Sequence, residues 1–348
     1  MPYNTSMKTT SKSNQQPVAP TLLIAPFRGI TIKAYRNALA KHMGHFKEAY
    51  APFISGLGEQ KTSTGKLSDI LPYESNLSPT VPQIIGNNAR EIIAFARALE
   101  DAGFDHLNWN LGCPFARIAN KKRGCGMLPY PEEIDHILQE VFTTINIGLS
   151  IKMRLGYRNE SEIRHVMPVL NKFPLKHIVL HPRTGIQVYK GHANPAAFVE
   201  ASRLSSHELI YNGDIYNRHQ FIQLQHMMPQ IRSWMLGRGV LINPFLPSEI
   251  MGVSFSELEK KDRLIAFHNE LWSFYADKAS HEKRSLGMMK AIWHYMAGIF
   301  SNARDVFLKI RRATNEHAYY EAIAYAIDQP LANDRELEAY FRQLTTKL

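Results

Sequence analysis

The sequence predicts an α/β fold: a (β/α)8 TIM barrel over residues 21–250, followed by an all-helical C-terminal domain over residues 251–348. Eight short apolar runs alternate with helix-like stretches over roughly 230 residues, which is close to the usual size of such a barrel. The alternation stops near Pro247, and only amphipathic helical patterns follow. Residues 1–20 are polar, lack periodic apolar positions and are expected to form a flexible tail.

The eight predicted strands are apolar runs bounded by turn residues. In chain order they are TLLIAPF, AYAPFI, VPQIIG, HLNWN, GLSIKMRLG, HIVLHP, ELIYNGD and SWMLGRG. One intervening stretch, AREIIAFARALEDAG, repeats apolar residues at helical spacing and has Gly103 where a helix commonly stops. An open doubly wound sheet is the rival architecture. It more often shows a glycine-rich dinucleotide turn after its first strand, and APFRGIT has none.

Composition narrows the class of protein. Two cysteines in 348 residues cannot form a disulfide framework, and the N-terminal segment has no apolar leader pattern, so a cytoplasmic location is expected. No apolar run approaches the roughly 18 to 20 residues that cross a bilayer, so no membrane association is expected. A formal charge of +10 would attract a polyanion such as a nucleic acid, although a basic soluble protein without such a partner has the same composition.

Polar residues follow several predicted strands at the point where each strand ends. In a parallel barrel these ends surround one mouth, so side chains far apart in the sequence are expected to meet there. The residues concerned are Asn110 and Cys113, Lys152 and Arg154, His181 and Arg183, Asn212 and Asp214, and Gly237 and Arg238.

Two tripeptides after the seventh and eighth predicted strands indicate a phosphate site. NGD covers Asn212, Gly213 and Asp214, and GRG begins with Gly237 and Arg238. Barrel enzymes commonly bind phosphate through these two loops, where glycine permits close backbone approach and arginine pairs with the anion. Each tripeptide alone is also an ordinary turn, so the prediction depends on their positions in the barrel.

Strict alternation in IKMRLG places Lys152 and Arg154 on one side of a strand. An inward cation needs a partner, and a reduced flavin is a suitable one for Lys152; the alternative is that both side chains face solvent or carboxylates. His181 at a strand end suggests cofactor contact, against the alternative of a neutral core histidine. Tyr189 is either a stacking platform or a surface aromatic.

Cys113 follows a strand in the turn LGCP, where a rigid scaffold displays reactive groups. A protonated thiol can act as a proton donor without an activating base, whereas a nucleophile would need one. A small buried apolar residue is the structural alternative. No metal is expected, because two cysteines twelve apart without paired histidines do not supply four zinc ligands. Cys125 lies between two glycines, which is typical of a small residue in a tight loop, so it is a weaker candidate for a catalytic role than Cys113.

Eight segments, in order and at matching spacing, resemble the tRNA-dihydrouridine synthases, which are FMN-dependent enzymes with a barrel and a helical C-terminal domain. They are APFRGIT, PQIIG, NWNLGCP, KKRGCGMLPYPEE, SIKMRLGY, LHPRTGIQVYKG, YNGDI and LGRGVLINPFL. The resemblance covers about residues 21–250, and KAIWHYMAGIFSNARDVFLKIRRA is similar to the family's helical domain.

The resemblance implies a role for each matching residue. Cys113 is the expected catalytic acid, and Asn110, Arg154 and Tyr189 are expected to contact the target uracil. The residues expected to hold the flavin or its phosphate end are Pro26, Phe27, Arg28, Gln83, Lys152, His181, Asn212, Gly213, Asp214, Gly237 and Arg238. Two departures are Phe27–Arg28, where a methionine and a small or acidic residue are more usual, and Cys125, where small residues are more usual.

The implied reaction is reduction of the C5=C6 bond of specific uridines in tRNA to 5,6-dihydrouridine. Hydride passes from reduced FMN to C6 and a proton from Cys113 to C5, and NADPH or NADH reduces the flavin again. The implied partner is tRNA, held in part by the helical domain, and we expect the protein to act as a monomer. Two alternatives remain: a flavin barrel oxidoreductase acting on a small molecule, as dihydroorotate dehydrogenases do, and a basic RNA-binding protein without catalysis.

Overall fold

The computed structural model describes residues 19–56, 67–72, 75–278 and 282–346. Apart from its last two residues, the predicted N-terminal tail lies outside these ranges. All paired strands of the sheet run parallel. The strands are β1 (Thr21–Ile24), β2 (Glu48–Tyr50), β3 (Thr80–Val81), β4 (Gln83–Ile84), β5 (His106–Leu111), β6 (Gly148–Gly156), β7 (Ile178–Thr184), β8 (Leu209–Tyr211) and β9 (Ser233–Leu236).

The sheet closes into a barrel through Pro82. Its strand order is β3-β2-β1-β9-β8-β7-β6-β5-β4, so the two ends of the order are consecutive segments of the chain. Pro82 separates them because proline has no N–H to donate to a neighbouring strand. Each of the eight predicted runs contains a strand, and the third, VPQIIG, spans the junction between β3 and β4. The predicted barrel is therefore confirmed.

Helices follow most strands and cover the outside of the barrel. Their apolar faces supply the packing: in α2, for example, Ile92, Phe95, Ala96 and Leu99 are buried. The barrel helices are α1 (Lys33–His42), α2 (Ala89–Asp101), α3 (Ala116–Ala119), α4 (Pro131–Phe142), α5 (Ile163–Leu170), α6 (Pro195–Leu204), α7 (Arg218–Met227), α8 (Arg238–Ile242) and α9 (Leu246–Ile250).

A helical region follows the barrel, as the sequence predicts. It comprises α10 (Glu257–Lys278), α11 (Glu282–Met296), α12 (Ala303–Arg312), α13 (Glu316–Asp328) and α14 (Asp334–Thr346). The ring of Phe267 on α10 lies 5.3 Å from that of Tyr35 on α1 in an edge-on contact. Both residues belong to one apolar core that continues from the barrel into these helices. In the described part of the chain, no helix is long and apolar enough to cross a membrane.

The barrel interior combines an apolar layer with buried polar side chains. A separate apolar cluster is contributed by six strands and includes Leu23, Tyr50, Val81, Val179, Ile210 and Met235. The fully buried polar residues Asn108 and Ser150 lie on the neighbouring strands β5 and β6. Burial of such groups is tolerated only when they are hydrogen-bonded.

Candidate active site

A cavity of about 210 Å³ lies at the carboxyl ends of the strands and collects side chains from most of the barrel. This volume is below the roughly 300 to 1,000 Å³ usual for ligand pockets, so a nucleotide-sized ligand would extend beyond its walls. The predicted site residues that line it are Pro26, Phe27, Arg28, Gln83, Asn110, Cys113, Lys152, Arg154, His181, Tyr189 and Arg238.

The loop carrying Cys113 is held from both sides. On one side the Asn110 side chain accepts hydrogen bonds from the main-chain N–H groups of Gly112 and Cys113, each at 2.9 Å. On the other, the Cys125 thiol donates to the Cys113 carbonyl oxygen over 3.2 Å. Gly124 has a φ of +58°, and a Cβ atom there would lie 2.6 Å from the same oxygen. Only glycine fits this backbone and this spacing.

The Cys113 thiol is suited to giving a proton. The residue is 7% exposed, and burial raises the pKa of its thiol, although a hydrogen bond from the Phe115 backbone and the charge of Arg154 oppose the shift. A raised pKa keeps the thiol protonated at neutral pH, which suits a general acid better than a nucleophile.

Arg154 connects strand β6 to the cysteine loop. Its Nε atom donates to the Gly112 carbonyl oxygen at 3.0 Å, and its NH1 group donates to that of Thr184 at 2.7 Å. The Tyr189 ring lies over its guanidinium, with 5.6 Å between the ring centre and the Cζ atom. Arg238 stands 4.7 Å from the same ring centre. Tyr189 is thus packed against two cations, which favours the stacking role over that of an isolated surface aromatic.

Lys152 is a half-buried cation that lines the cavity. Among the described residues, no hydrogen bond or carboxylate partner serves its ammonium group. Burial, followed by the nearby charge of Arg154, lowers its pKa to about 7. An ammonium in this position gains stability from an electron-rich ligand in the cavity, because such a ligand restores the lost interaction with water.

His181 is neutral in this environment. Burial, together with the surrounding cations Arg154 and Lys152, places its pKa well below the ordinary value. Its Nε2 atom lies 3.0 Å from the NH1 group of Arg183. Because a guanidinium can only donate, Nε2 is the acceptor and the ring proton resides on Nδ1.

Asp214 joins two buried arginines next to the cavity. Its carboxylate accepts two hydrogen bonds from Arg183, at 2.8 and 2.6 Å, and one from Arg238 at 2.9 Å. Burial by itself would raise the pKa of Asp214, but these hydrogen bonds and charges lower it overall. Arg238 lines the site cavity, whereas Asp214 lines a neighbouring cavity of about 460 Å³.

The other predicted phosphate residues lie beside the cavity, not in its wall. The buried Asn212 donates through Nδ2 to the Met235 carbonyl oxygen at 2.9 Å, linking the loop after β8 to strand β9. At Gly213 a side chain would collide with the Tyr211 ring, and at Gly237 a Cβ atom would be 3.7 Å from the Phe27 ring. These residues therefore shape the loops around the cavity.

Several cavity residues carry no motif signal. Phe53 lies under the guanidinium of Arg28, with 5.8 Å between ring centre and Cζ. Phe115 is 49% exposed at the mouth, and Tyr295 reaches the cavity from α11. Phe341 on α14 lines the neighbouring cavity and packs on Arg238, with 4.5 Å between the ring centre and the Cζ atom. In the sequence, aromatic residues at these positions look like ordinary core residues of helices and loops.

The electrostatics of the cavity favour a planar, electron-rich ligand. Four cations line it, Arg28, Lys152, Arg154 and Arg238, and no carboxylate occurs among the described lining residues. The remaining wall is mainly aromatic, aliphatic and carboxamide. Such a lining can stack on a ring system and pair with negative charge.

The architecture is that of a barrel enzyme, since the cavity opens at the carboxyl ends of parallel strands. More particularly, the chain belongs to the dihydrouridine synthase family: the family model described as Dihydrouridine synthase (Dus) matches residues 23–334. The family resemblance expected from the motifs is therefore confirmed, and the chain is an enzyme of this family.

Relatives of known sequence agree with this assignment over most of their length. A probable tRNA-dihydrouridine synthase of Aquifex aeolicus is 25% identical over 301 residues, covering 84% of this chain and 92% of the relative. One from Rhodobacter capsulatus is 24% identical, covering 89% and 95%. The tRNA-dihydrouridine(16) synthase of Neisseria meningitidis is 23% identical, covering 83% and 90%.

A likeness to a solved structure concerns the fold alone. Histamine dehydrogenase from Rhizobium sp. 4-9 superposes with a TM-score of 0.52 at 10% identity, covering 89% of this chain and 62% of that one.

Proposed function

We propose that this protein reduces the C5=C6 bond of specific uridines in tRNA to 5,6-dihydrouridine, with FMN as resident cofactor and NADPH or NADH as the reductant. The relatives named above are tRNA-dihydrouridine synthases, which supports the reaction and the substrate. The observation that carries the proposal is a buried Cys113, whose thiol pKa is raised by burial, in the wall of a cavity that four cations line and no described carboxylate enters.

The residues present fit a flavin. Lys152 has no described partner for its ammonium, His181 is neutral, and the carboxamides of Gln83 and Asn110 line the same cavity. The groups proposed to hold FMN are Pro26, Phe27, Arg28, Gln83, Lys152, His181, Asn212, Gly213, Asp214, Gly237 and Arg238. When bound and reduced, the flavin supplies the hydride that C6 of the uracil receives.

The side chains of the protein perform the complementary proton transfer. Cys113 gives its thiol proton to C5, so the hydride and the proton together complete the reduction of one double bond. The thiolate left behind regains a proton from solvent before the next turnover. The positive charge of Arg154 opposes the rise in the Cys113 pKa, and Cys113 in turn favours the charged form of Lys152. Asn110, Arg154 and Tyr189 are proposed to orient the uracil.

The RNA must present a single base to the cavity. Extruding a nucleotide costs a few kcal/mol, and less when the base is already unpaired, so a loop uridine is the favoured target. The overall charge of +10 supports backbone contacts outside the cavity, and the helical region after residue 251 is proposed to provide part of them.

The test is nucleoside mass spectrometry. Purified protein is incubated with unmodified tRNA, FMN and NADPH, and the digested nucleosides are examined for a uridine that has gained two hydrogens. We expect this product, and fragment analysis would then locate the modified position. A yellow protein whose flavin NADPH reduces, but which leaves several different tRNAs unchanged, would contradict the tRNA substrate.

A further inference from the structure

Four buried polar side chains form a hydrogen-bonded chain that runs from the cysteine loop into the barrel. Asn110 donates through Nδ2 to Gln83 Oε1 at 2.7 Å. Gln83 donates through Nε2 to Asn108 Oδ1 at 2.8 Å. Asn108 in turn donates through Nδ2 to Ser150 Oγ at 2.8 Å. Gln83, Asn108 and Ser150 are fully shielded from solvent, so water cannot substitute for any of these bonds.

The donor-to-acceptor direction of the whole hydrogen-bonded chain follows from the contacts of Asn110. The N–H groups of Gly112 and Cys113 can only donate, so the atom of Asn110 that they contact must be its oxygen. The side-chain nitrogen of Asn110 therefore points to Gln83, which must accept this hydrogen bond through its oxygen. The same reasoning applied to Gln83 makes Asn108 accept through its oxygen. Each carboxamide thus has one permitted orientation.

This direction determines what the cavity offers to a ligand. Gln83 and Asn110 both line the cavity. The side-chain oxygen of Gln83 accepts from Asn110, and that of Asn110 accepts from the main chain of the cysteine loop. Each NH2 group uses one N–H in the chain. The second N–H of each has no partner among the described residues. What these two amides have left for a ligand is therefore hydrogen-bond donors: Asn110 is 7% exposed to the cavity, and Gln83, which lines it but is 0% exposed, is reached by a ligand packed directly against the wall.

We propose that Asn108, supported by Ser150, is a positioning residue that fixes Gln83 and Asn110 so that both present N–H donors to the cavity. Asn108 does not line the cavity itself and acts through Gln83. The groups recognised are carbonyl oxygens and unprotonated ring nitrogens, such as those of a flavin or a uracil. Without an acceptor at position 108, only the bond from Asn110 holds the Gln83 carboxamide, so its N–H donors lose their fixed direction toward the ligand. The inference rests on the proposed function for the identity of the ligand.

The test compares two substitutions of similar size at one position. Asn108→Leu removes the acceptor for Gln83, whereas Asn108→Asp keeps one: at this buried position the carboxyl group is protonated, so its carbonyl oxygen accepts from Gln83 Nε2 and its hydroxyl donates to Ser150 Oγ. Oxidised FMN is titrated into each flavin-free protein, and the affinity and visible spectrum are recorded. We expect Asn108→Leu to bind FMN at least about tenfold more weakly with a shifted spectrum, and Asn108→Asp to retain most of the affinity.

Steady-state kinetics provide the second measurement. For Asn108→Leu we expect kcat for tRNA to fall at saturating flavin while KM changes little, since RNA contacts outside the cavity remain. A purely structural role would lower the melting temperature without moving the spectrum or kcat. Should Asn108→Leu not fold, Ser150→Ala is the substitute, because it removes the acceptor that orients Asn108. Its expected effect has the same direction and is smaller.

The outcomes separate this inference from the proposed function. Wild-type protein that binds no FMN would overturn the proposed function. Wild-type protein that binds FMN, together with an Asn108→Leu variant of equal affinity, spectrum and kcat, would overturn the inference alone. The same holds if Asn108→Asp loses as much affinity as Asn108→Leu, or if Ser150→Ala, used as the substitute, changes none of the three measurements.

Discussion

The side chain of Asn110 holds the main chain of Cys113, with 2.9 Å between Asn110 Oδ1 and the Cys113 nitrogen. Asn110 belongs to β5, and Cys113 is in the loop that follows it. The position of the thiol is therefore set by a rigid strand of the barrel and not by the loop alone. This arrangement meets the requirement that an acid be held within reach of the atom it protonates.

The first prediction concerns the proton donor. Cys113→Ala is expected to bind FMN as the wild type does but to form dihydrouridine about 10² to 10⁴ times more slowly, because the general acid is lost while the flavin pocket stays intact. Single-turnover product formation from pre-reduced enzyme measures this step. Cys113→Ser, which keeps a weak hydroxyl donor, should lie between the two. Product formation by Cys113→Ala at the wild-type rate would contradict the acid assignment.

The second prediction concerns Lys152 and pH. Its pKa is about 7 in the folded protein, below the ordinary lysine value. Between these two values the unfolded chain binds more protons than the folded one, so the free energy of unfolding rises with pH through this range. Below about pH 7 both states are protonated and the cost of the buried charge is fully present. Lys152→Met should remove this slope and stabilise the flavin-free protein at neutral pH and below.

Two measurements on Lys152→Met are expected to move in opposite directions. Urea unfolding of the flavin-free variant should show greater stability, and FMN titration should show weaker binding, because the cation that pairs with the ligand is gone. Lys121→Met, at an exposed lysine, serves as the control and should change neither. A pH dependence of stability equal to that of the wild type would show that Lys152 does not titrate as described.

The third prediction concerns Asp214. Asp214→Asn leaves the buried guanidiniums of Arg183 and Arg238 without their carboxylate, so the free energy of unfolding should fall by about 3 to 5 kcal/mol. The pKa of Asp214 is lowered in the folded state, so the contribution of its carboxylate to the free energy of unfolding is present at neutral pH. This contribution is lost as the pH falls through the lowered pKa. The deficit of the variant should therefore shrink in acid. Denaturant unfolding at several pH values measures both effects.

A matched surface pair provides the comparison for Asp214. Asp135 forms an ion pair with Lys172, whose side chain is 56% exposed. Asp135→Asn should cost no more than about 1 kcal/mol, as is usual for surface ion pairs. Similar losses from Asp135→Asn and Asp214→Asn would mean that the Asp214 cluster is not a stabilising element.

The fourth prediction concerns the RNA interface. Arg311 and Arg312, in the last turn of α12, are exposed and have no carboxylate within ion-pair distance among the described residues. The double substitution Arg311→Glu and Arg312→Glu should weaken tRNA binding and reduce the slope of log affinity against log salt concentration, because fewer counterions are released. Filter binding or fluorescence anisotropy over a salt series measures both.

The control for the RNA interface makes the same change of charge elsewhere. Arg97→Glu with Arg203→Glu alters two exposed arginines on the barrel helices α2 and α6. We expect a smaller loss of affinity from this pair. If both double variants lose affinity equally, the effect reflects net charge and the helical region has no special role in binding.

Much of the fold was predictable because the barrel imposes a local pattern. Buried parallel strands produce short apolar runs, and turn residues follow each one, so the number and order of strands can be counted in the sequence. Strand length was less predictable. In AYAPFI, only residues up to Tyr50 belong to β2, and Ile54 forms an isolated bridge with Ile84 instead. Pairing with a neighbour sets such a boundary, and that neighbour is distant in sequence.

Candidate site residues were recognisable where a chemical group stands at a strand end. Lys152 and Arg154 are examples, because alternation places both cations on one side of a barrel strand, and an inward cation needs a binding partner. Tyr295 and Phe341 were not recognisable, since an aromatic on an amphipathic helix has the same pattern whether it enters the core or a cavity. Asn108 was missed for a related reason: its role depends on the partners Gln83 and Ser150 on other strands.

The sequence by itself determined the barrel, the helical region after it and the family, and it supplied the candidate reactive groups. These properties depend on the order and spacing of residue types along one chain. Only the tertiary structure decided which groups share a cavity, that Asp214 is engaged by two arginines, and that the amides of Gln83 and Asn110 have one orientation each. Burial, hydrogen-bond direction and charge coupling depend on distances in space, and the closure of the barrel sets those distances.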